Sequence, residues 1–362
     1  MTAMNKKNIR NLTRALVFVM LFALIFMFLS KVFAASSRSS EDGMERRISM
    51  AYKGETRDSL DVVFVGNSDI YRAVSPVDLY KNTGITSAVA GKPNLKITKL
   101  PGNIRDILKY QKPKVLVLDT DCMFSSWNPG FKNGGSAESI SSTQDVKPSK
   151  NGKFTKTLEG LKKATESADS AILSVLNFYF PLIKYHDSWK NLTPQDFLRH
   201  SGSFYKFSNK GMAYSDKVKP LSNEYDYMND PEAKPAKLSA DKRSAFDEIC
   251  NICKDNGIRL VLVTVPSANT WNMQKSRQVQ ELADRYGLTY YDYNIDYPEG
   301  FDWAVHSQDG GNHLNYGGAL TVTEDFGEKL LNDLDLDASK LTKEQRAQWE
   351  KDYRQFHEQV RK

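Results

Sequence analysis

The sequence predicts an α/β fold: a parallel sheet with helices on both faces, enlarged by a large insertion and preceded by one apolar N-terminal helix. Three observations carry that prediction. Short, predominantly apolar runs at residues 61–65, 114–119 and 259–266 read as strands buried on both faces rather than as alternating surface strands. The second and third are each preceded by a helical-looking stretch, at 100–110 and 240–256, and strand–helix alternation is the signature of a parallel sheet. A single long apolar stretch stands near the N-terminus. With 362 residues, 40% hydrophobic and 26% charged, the chain is too balanced for a disordered polymer, and a mean hydropathy of -0.53 excludes a polytopic membrane protein.

Residues 1–35 hold Lys6, Lys7, Arg10, Arg14 and Lys31 and no acid, which is five of the six net positive charges of the chain. The remainder is nearly neutral, so no nucleic-acid partner is expected. From Ala15 to Leu29 the run is unbroken and apolar, and it resumes after Ser30 and Lys31 with Val32, Phe33, Ala34 and Ala35. As a helix, 15–35 reaches about 30 Å, enough to cross a bilayer if Lys31 snorkels to the interface. Basic residues ahead of it place the N-terminus in the cytoplasm and the main domain outside the cell membrane. Val32-Phe33-Ala34 also has the small-residue spacing of a signal cleavage site, so cleavage stays open. Either route exports the domain.

Residues 36–57, rich in Ser, Arg and Glu, read as a solvated linker. The α/β domain is placed at 58–335, with weaker strands at 86–90 and 288–293 and a last helix at 316–333. Between about 125 and 238 the pattern loosens into an insertion, with a Ser/Gly/Lys-rich stretch at 134–153 and an aromatic one at 177–207. Its Phe178, Tyr179, Phe180, Tyr185 and Trp189 are expected to pack in a core or lid. The charged tail, 336–362, opens its helix with the capping-box pattern Thr342-Lys343-Glu344-Gln345 and reads as a solvated surface element. Cys250 and Cys253 share a helix face and are expected to pack in the core, a disulfide between them staying open; Cys122 reads as a small buried residue. No metal site is expected, since no further ligands follow at finger-like spacing.

Functional groups in such sheets lie at the carboxyl ends of the strands. After the first strand comes Gly66-Asn67-Ser68-Asp69, which places Ser68 on the turn into a helix, where backbone N–H groups can stabilise an oxyanion. Taken alone, a Ser there is better explained as a cap. Before the last helix stands Asp309-Gly310-Gly311-Asn312-His313-Leu314-Asn315-Tyr316. A His is the natural base for a Ser hydroxyl, and an Asp fixes its tautomer.

Together these residues resemble the SGNH (GDSL-type) hydrolase superfamily, over roughly 60–333 of the chain. The resemblance implies a three-layer α/β/α flavodoxin-like fold. It extends to a subgroup seen in Gram-positive bacteria that follows one membrane segment with such a domain, through Asn312-His313-Leu314-Asn315-Tyr316 with Gly318-Ala319, and through the segment Phe180-Pro181-Leu182-Ile183-Lys184-Tyr185-His186-Asp187-Ser188-Trp189-Lys190. Members of that subgroup, like the D-alanyl-lipoteichoic acid transfer protein and the alginate O-acetylation proteins, are associated with membrane-bound O-acyltransferases. The implied activity is that of a serine esterase or O-acyltransferase, without a cofactor, acting on acetyl or D-alanyl groups of a cell-surface polysaccharide or teichoic acid. By the resemblance Ser68 is the nucleophile, His313 the base and Asp309 its partner, with oxyanion or substrate contacts from the Ser68 N–H, Gly91, Asn67, Asn94, Asp119 and Asn315. Two departures stand out. The family's Asp precedes the His by three residues, where Gly310 stands here; a Gly-Gly turn absorbs the extra residue, or Asp302 orients His313 instead. After the third strand Asp119-Thr120-Asp121 replaces the family's oxyanion Asn, so either Asn94 substitutes or that donor is missing. His186 reads as a lid or acceptor-site residue. The alternative is a catalytically weak or inactive module that binds surface polymer or scaffolds the acyltransferase.

Overall fold

The computed structural model describes residues 6–35, 47–124, 207–221 and 226–361. The chain divides into two compact units, one formed by Met1–Gly43 with Asn128–Arg199 and the other by Met44–Trp127 with His200–Lys362. The described part of the first is the helix α1 (Lys6–Ala35), whose stretch Arg10–Ser30 has a mean hydropathy of 2.5. By length and composition it can cross a membrane, and a signal sequence meets the same criteria.

The second unit is built on five parallel strands, β1 (Val62–Gly66), β2 (Ser87–Gly91), β3 (Val115–Asp119), β4 (Arg259–Thr264) and β5 (Thr289–Asp292), in the order β2-β1-β3-β4-β5. That is the flavodoxin-like order, whose switch point lies between the outgoing edges of β1 and β3. Register is in step across the sheet, with Val62 opposite Ser87 and Val115, and Val117 opposite Val261. The strands read as continuous apolar runs because both faces are covered. Val63, Val65, Leu116, Leu118, Leu260 and Leu262 join one core with α4 (Leu100–Ile107), α5 (Ala240–Asp255) and α6 (Met273–Tyr286). Val62, Phe64, Val115, Val117, Val261 and Val263 join the other, with α2 (Ser68–Ala73), α3 (Pro76–Thr83) and α7 (Tyr316–Asn332). The fold is therefore a three-layer α/β/α sandwich.

Three departures from the sequence expectation have physical causes. The supposed linker 36–57 is part of the domain from Ile48 on, since Ile48, Ala51 and Tyr52 are buried and the Tyr52 hydroxyl donates to Asp106 of α4 at 2.7 Å. The tail helix α8 (Lys343–Val360) is not solvated on all sides. Its Trp349 and Phe356 are buried, and Trp349 packs on Tyr80 of α3 with ring centroids 4.9 Å apart. Between them Asp352 binds the fully buried Lys210 at 2.5 Å, which also reaches Glu55 at 2.7 Å. Lastly, 207–213, inside the expected insertion, lines the β2 edge, with the Val89 N–H donating to Lys210 O at 2.9 Å. Gly211 makes this approach possible, because a Cβ there would stand 2.1 Å from Val89 O. The glycine-rich and aromatic stretches of the insertion, with Phe178, Tyr179, Phe180, Tyr185, His186 and Trp189, lie outside the described residues.

Candidate active site at the carboxyl end of the sheet

Gly66 closes β1 against β3; a Cβ there would lie 2.6 Å from Asp119 Cβ, so only glycine lets the turn run this close. Asn67 then caps α2. Its Oδ1 accepts the Asp69 N–H at 2.9 Å and its Nδ2 donates to Asp121 Oδ2 at 2.6 Å, so it fixes the turn from both ends of its amide. Ser68, the first residue of α2, is half-buried beside the Tyr71 phenol. It makes no hydrogen bond to His313. Gly91 ends β2 directly below, where a Cβ would meet Tyr71 Cδ1 at 2.8 Å and Asn67 O at 3.2 Å.

The His loop is shaped by Gly310 and Gly311, at φ 84° and 99°. These left-handed positions turn the chain so that Asp309, four residues ahead, reaches back to His313. Its Oδ2 lies 2.6 Å from Nδ1 and its Oδ1 accepts the His313 N–H at 2.7 Å. Burial pushes the Asp309 carboxyl up, but the His313 ring and the N–H groups of His313 and Asn312 outweigh it and hold the carboxyl below its ordinary value. The Asn312 amide nitrogen lies 2.9 Å from the same Nδ1. A charge-assisted bond is the stronger one, so the Nδ1 proton goes to Asp309. Nε2 faces α2, 4.0 Å from Asp69 Oδ1, with the Asn312 amide nitrogen 3.4 Å away.

Of the other carboxylates, Asp302 takes no part in orienting His313: its Oδ1 accepts the Ala304 N–H at 2.8 Å and its own N–H donates to His306 Nδ1 at 3.0 Å. Asn315 is fully engaged as the cap of α7, accepting from Gly318 at 3.0 Å and donating to Val305 O at 2.6 Å and Lys217 O at 3.2 Å. That use leaves its amide holding the loop rather than reaching out to a ligand. Asn94 is exposed at φ 51° and forms no hydrogen bond through its side chain to Ser68 or His313. Asp119 is buried at the end of β3, and among the described residues no side chain hydrogen-bonds its carboxylate oxygens. Its neighbours are the N–H groups of Asn67 and Asp121, and burial with the Asp121 charge pushes its carboxyl well up.

Several residues here carried no sequence signal of their own. Asp69 and Asp121 look like ordinary turn residues, yet both are buried beside Asp119. Arg72 of α2 donates to Gln308 Oε1 at 3.0 Å and so ties the serine helix to the His loop. From the β4–α6 loop, Ser267 Oγ donates to Asn312 O at 3.0 Å and Asn269 Nδ2 to Gly310 O at 3.0 Å. Among the described residues no three His, Cys, Asp or Glu side chains are grouped to hold a metal ion. Cys122, Cys250 and Cys253 are free thiols, and burial pushes Cys250 up to about 11 and Cys253 up to about 12.

No protein-family model matches the chain, and no curated protein matches it significantly. Among solved structures, a presumed acylhydrolase from Bacteroides fragilis is similar at 12% identity and a TM-score of 0.36, over 82% of this chain and 99% of its own.

Proposed function

We propose that the protein is an exported serine esterase or O-acyltransferase of the SGNH type. The observation that carries this reading is His313, held at Nδ1 by Asp309 with Nε2 facing the helix that Ser68 begins. A neutral imidazole so placed takes the Ser68 proton as Oγ attacks an acyl carbonyl, and Asp309 stabilises the imidazolium. The proton then passes to the leaving alcohol. A second hydroxyl, from water or from a polymer, accepts the acyl group with His313 again as base. The Asp69 N–H is taken by Asn67 Oδ1, so the oxyanion donor at the start of α2 in this reading is the Ser68 N–H.

The finer reading places the domain outside the cell membrane behind α1. There it would act with a membrane-bound O-acyltransferase on acetyl or D-alanyl groups of a surface polysaccharide or teichoic acid. Its support is the apolar helix with basic residues ahead of it and the resemblance of the His loop. The test is labelling of the full-length protein with a serine-reactive phosphonate probe, wild type against Ser68→Ala; equal labelling sinks the nucleophile. One observation favours a second reading, a non-catalytic polymer-binding module: Ser68 is not hydrogen-bonded to His313. That reading requires that no probe labels Ser68.

A further inference from the structure

Beyond β5 the chain runs through Ile295-Asp296-Tyr297-Pro298-Glu299-Gly300-Phe301-Asp302-Trp303 before it enters the His loop. Three of its rings form one body. Tyr297 and Phe301 stack with centroids 5.2 Å apart and planes 2° apart, and Trp303 meets Phe301 edge-on at 5.0 Å. Trp303 packs against the cores on both faces of the sheet, and Phe301 against one of them. The Tyr297 hydroxyl is used up inside the protein. It accepts from Trp303 Nε1 at 3.2 Å and lies 2.9 Å from the Tyr227 hydroxyl, whose own proton goes to Asn294 Oδ1 at 2.9 Å, so Tyr297 donates to Tyr227. The ring is thus held at its polar end and covered on one face by Phe301, yet Tyr297 stays 42% exposed. What it offers to solvent is the other face of a fixed aromatic ring.

The rim of this face is polar and of one sign. Asp296, Glu299 and Asp302 are exposed beside the rings, and Asp226 and Asp230 are exposed near Tyr227 in the chain. No lysine or arginine occurs from 286 to 328. Lys219 puts its amine by Gly310 of the His loop, 3.8 Å from where a Cβ there would stand. A flat apolar face edged by hydrogen-bond acceptors suits a sugar ring, which has C–H faces and hydroxyl edges. It does not suit a phosphodiester or uronate chain, which these carboxylates repel. Nor does it suit a protein partner: a stable interface takes about 20–30 residues a side, far more than three rings with the exposed Ile295 and Val305.

The platform adjoins the candidate site. Leu221 donates its N–H to Trp303 O at 3.4 Å, and a Cβ on Gly311 would meet Leu221 Cδ1 at 2.5 Å, so one residue spans Trp303 and the turn that carries His313. A second link runs through Asn294, which accepts the Ser267 N–H at 2.8 Å, and Ser267 Oγ, which donates to Asn312 O at 3.0 Å. We propose that Tyr297, backed by Phe301 and Trp303, is a sugar-stacking platform beside the His loop, and that the polymer held there is an uncharged polysaccharide rather than a polyanion. What is done to that sugar rests on the catalytic reading given above; its binding does not.

The test is calorimetric titration of the full-length protein, in a detergent without sugar headgroups, with chitotetraose, cellotetraose and mannotetraose as uncharged probes and with a glycerol-phosphate tetramer and tetragalacturonate as anionic ones. At least one uncharged probe is expected to bind, and neither anionic one. Tyr297→Ala weakens that binding about tenfold, the worth of one stacked ring, while Tyr297→Phe, which keeps the ring, stays within about threefold. If Tyr297→Ala does not fold, Tyr297→Leu, which keeps apolar cover over Phe301 without a ring, takes its place. Three results overturn the proposal: no uncharged probe binds, an anionic probe binds more tightly than the uncharged ones, or binding is unmoved by loss of the ring. A dimer of the full-length protein that Tyr297→Ala dissociates also overturns it, since the face then serves a second copy. Ser68→Ala binds sugar as the wild type does, and Tyr297→Ala is labelled at Ser68 by the phosphonate probe at the wild-type rate. Absence of that labelling in the wild type would therefore sink the catalytic reading and leave the platform standing.

Discussion

Replacing Asp309 with Asn probes the site at its best-defined contact. Asp309 binds His313 Nδ1 at 2.6 Å through one oxygen, and His313 N and Asn312 N at 2.7 and 3.2 Å through the other. The variant keeps an amide oxygen for the two backbone N–H groups, so the Gly310-Gly311 turn survives. It no longer offers an anion to Nδ1. The ring then loses both the tautomer that exposes the Nε2 lone pair and the charge that stabilises the imidazolium. In serine hydrolases that loss is worth ~10,000-fold in turnover. The expected rate of Ser68 acylation by a serine-reactive probe therefore falls ~1,000- to 10,000-fold, with an unchanged melting curve. Asp302→Asn, whose carboxylate caps Ala304 rather than His313, leaves the rate within about threefold. A rate within tenfold of wild type for Asp309→Asn, or a large loss for Asp302→Asn, refutes the assignment of the orienting carboxylate.

Other outcomes follow from packing and charge. Trp349→Ala removes a buried ring that packs on Tyr80 and carries the Lys210 ammonium 4.6 Å above it, and urea unfolding is expected to show a loss of ~3–4 kcal/mol. A loss under 1 kcal/mol would show that α8 is not part of the core. Asp106, against its partial burial, is held down to about 2 by Lys53 and Tyr52, so its contribution is present above pH ~4 and lost as pH falls through about 2. Discounted for its exposure, Asp106→Asn costs about 1 kcal/mol at pH 6 and nothing measurable at pH 2 in denaturant titrations, and an equal cost at both values contradicts this. Gly311→Ala introduces a Cβ 2.5 Å from Leu221 Cδ1 at a φ of 99°. It is expected to slow probe labelling more than tenfold and lower stability by about 2 kcal/mol; unaltered labelling would show that the loop does not position His313.

The sheet was legible because β1, β3 and β4 are apolar on both faces, and no other element type combines such shortness with such runs. Helices α3 and α6 escaped because their apolar positions are few. In α6 only Val279, Leu282 and Ala283 mark the buried face, although Asn272 and Gly287 bracket it with a side-chain cap and a left-handed stop. The tail misled for a related reason: two buried aromatics, Trp349 and Phe356, sit seven residues apart in a strongly charged helix. Residues 48–52 form a mostly apolar run too short to stand out beside the polar stretch before them, and their burial depends on strands and helices that the sequence brings in only later. At the site, Ser68 and His313 could be located because strand ends and the last helix could be. The clustering of Asp69 with Asp119 and Asp121 could not, since it depends on β3 delivering the latter two to the same pocket. A carboxyl's protonation is set by burial and neighbours, which local sequence does not encode.

The central claim, that Ser68 is a nucleophile served by His313, meets its most direct test in the mass of the probe-labelled protein. Full-length wild type incubated with a serine-reactive phosphonate is expected to gain one adduct, mapped by peptide sequencing to Ser68. The adduct is expected to be absent from Ser68→Ala and strongly slowed in His313→Ala. Labelling that persists in Ser68→Ala at the wild-type rate, or a wild type that never labels, contradicts the claim.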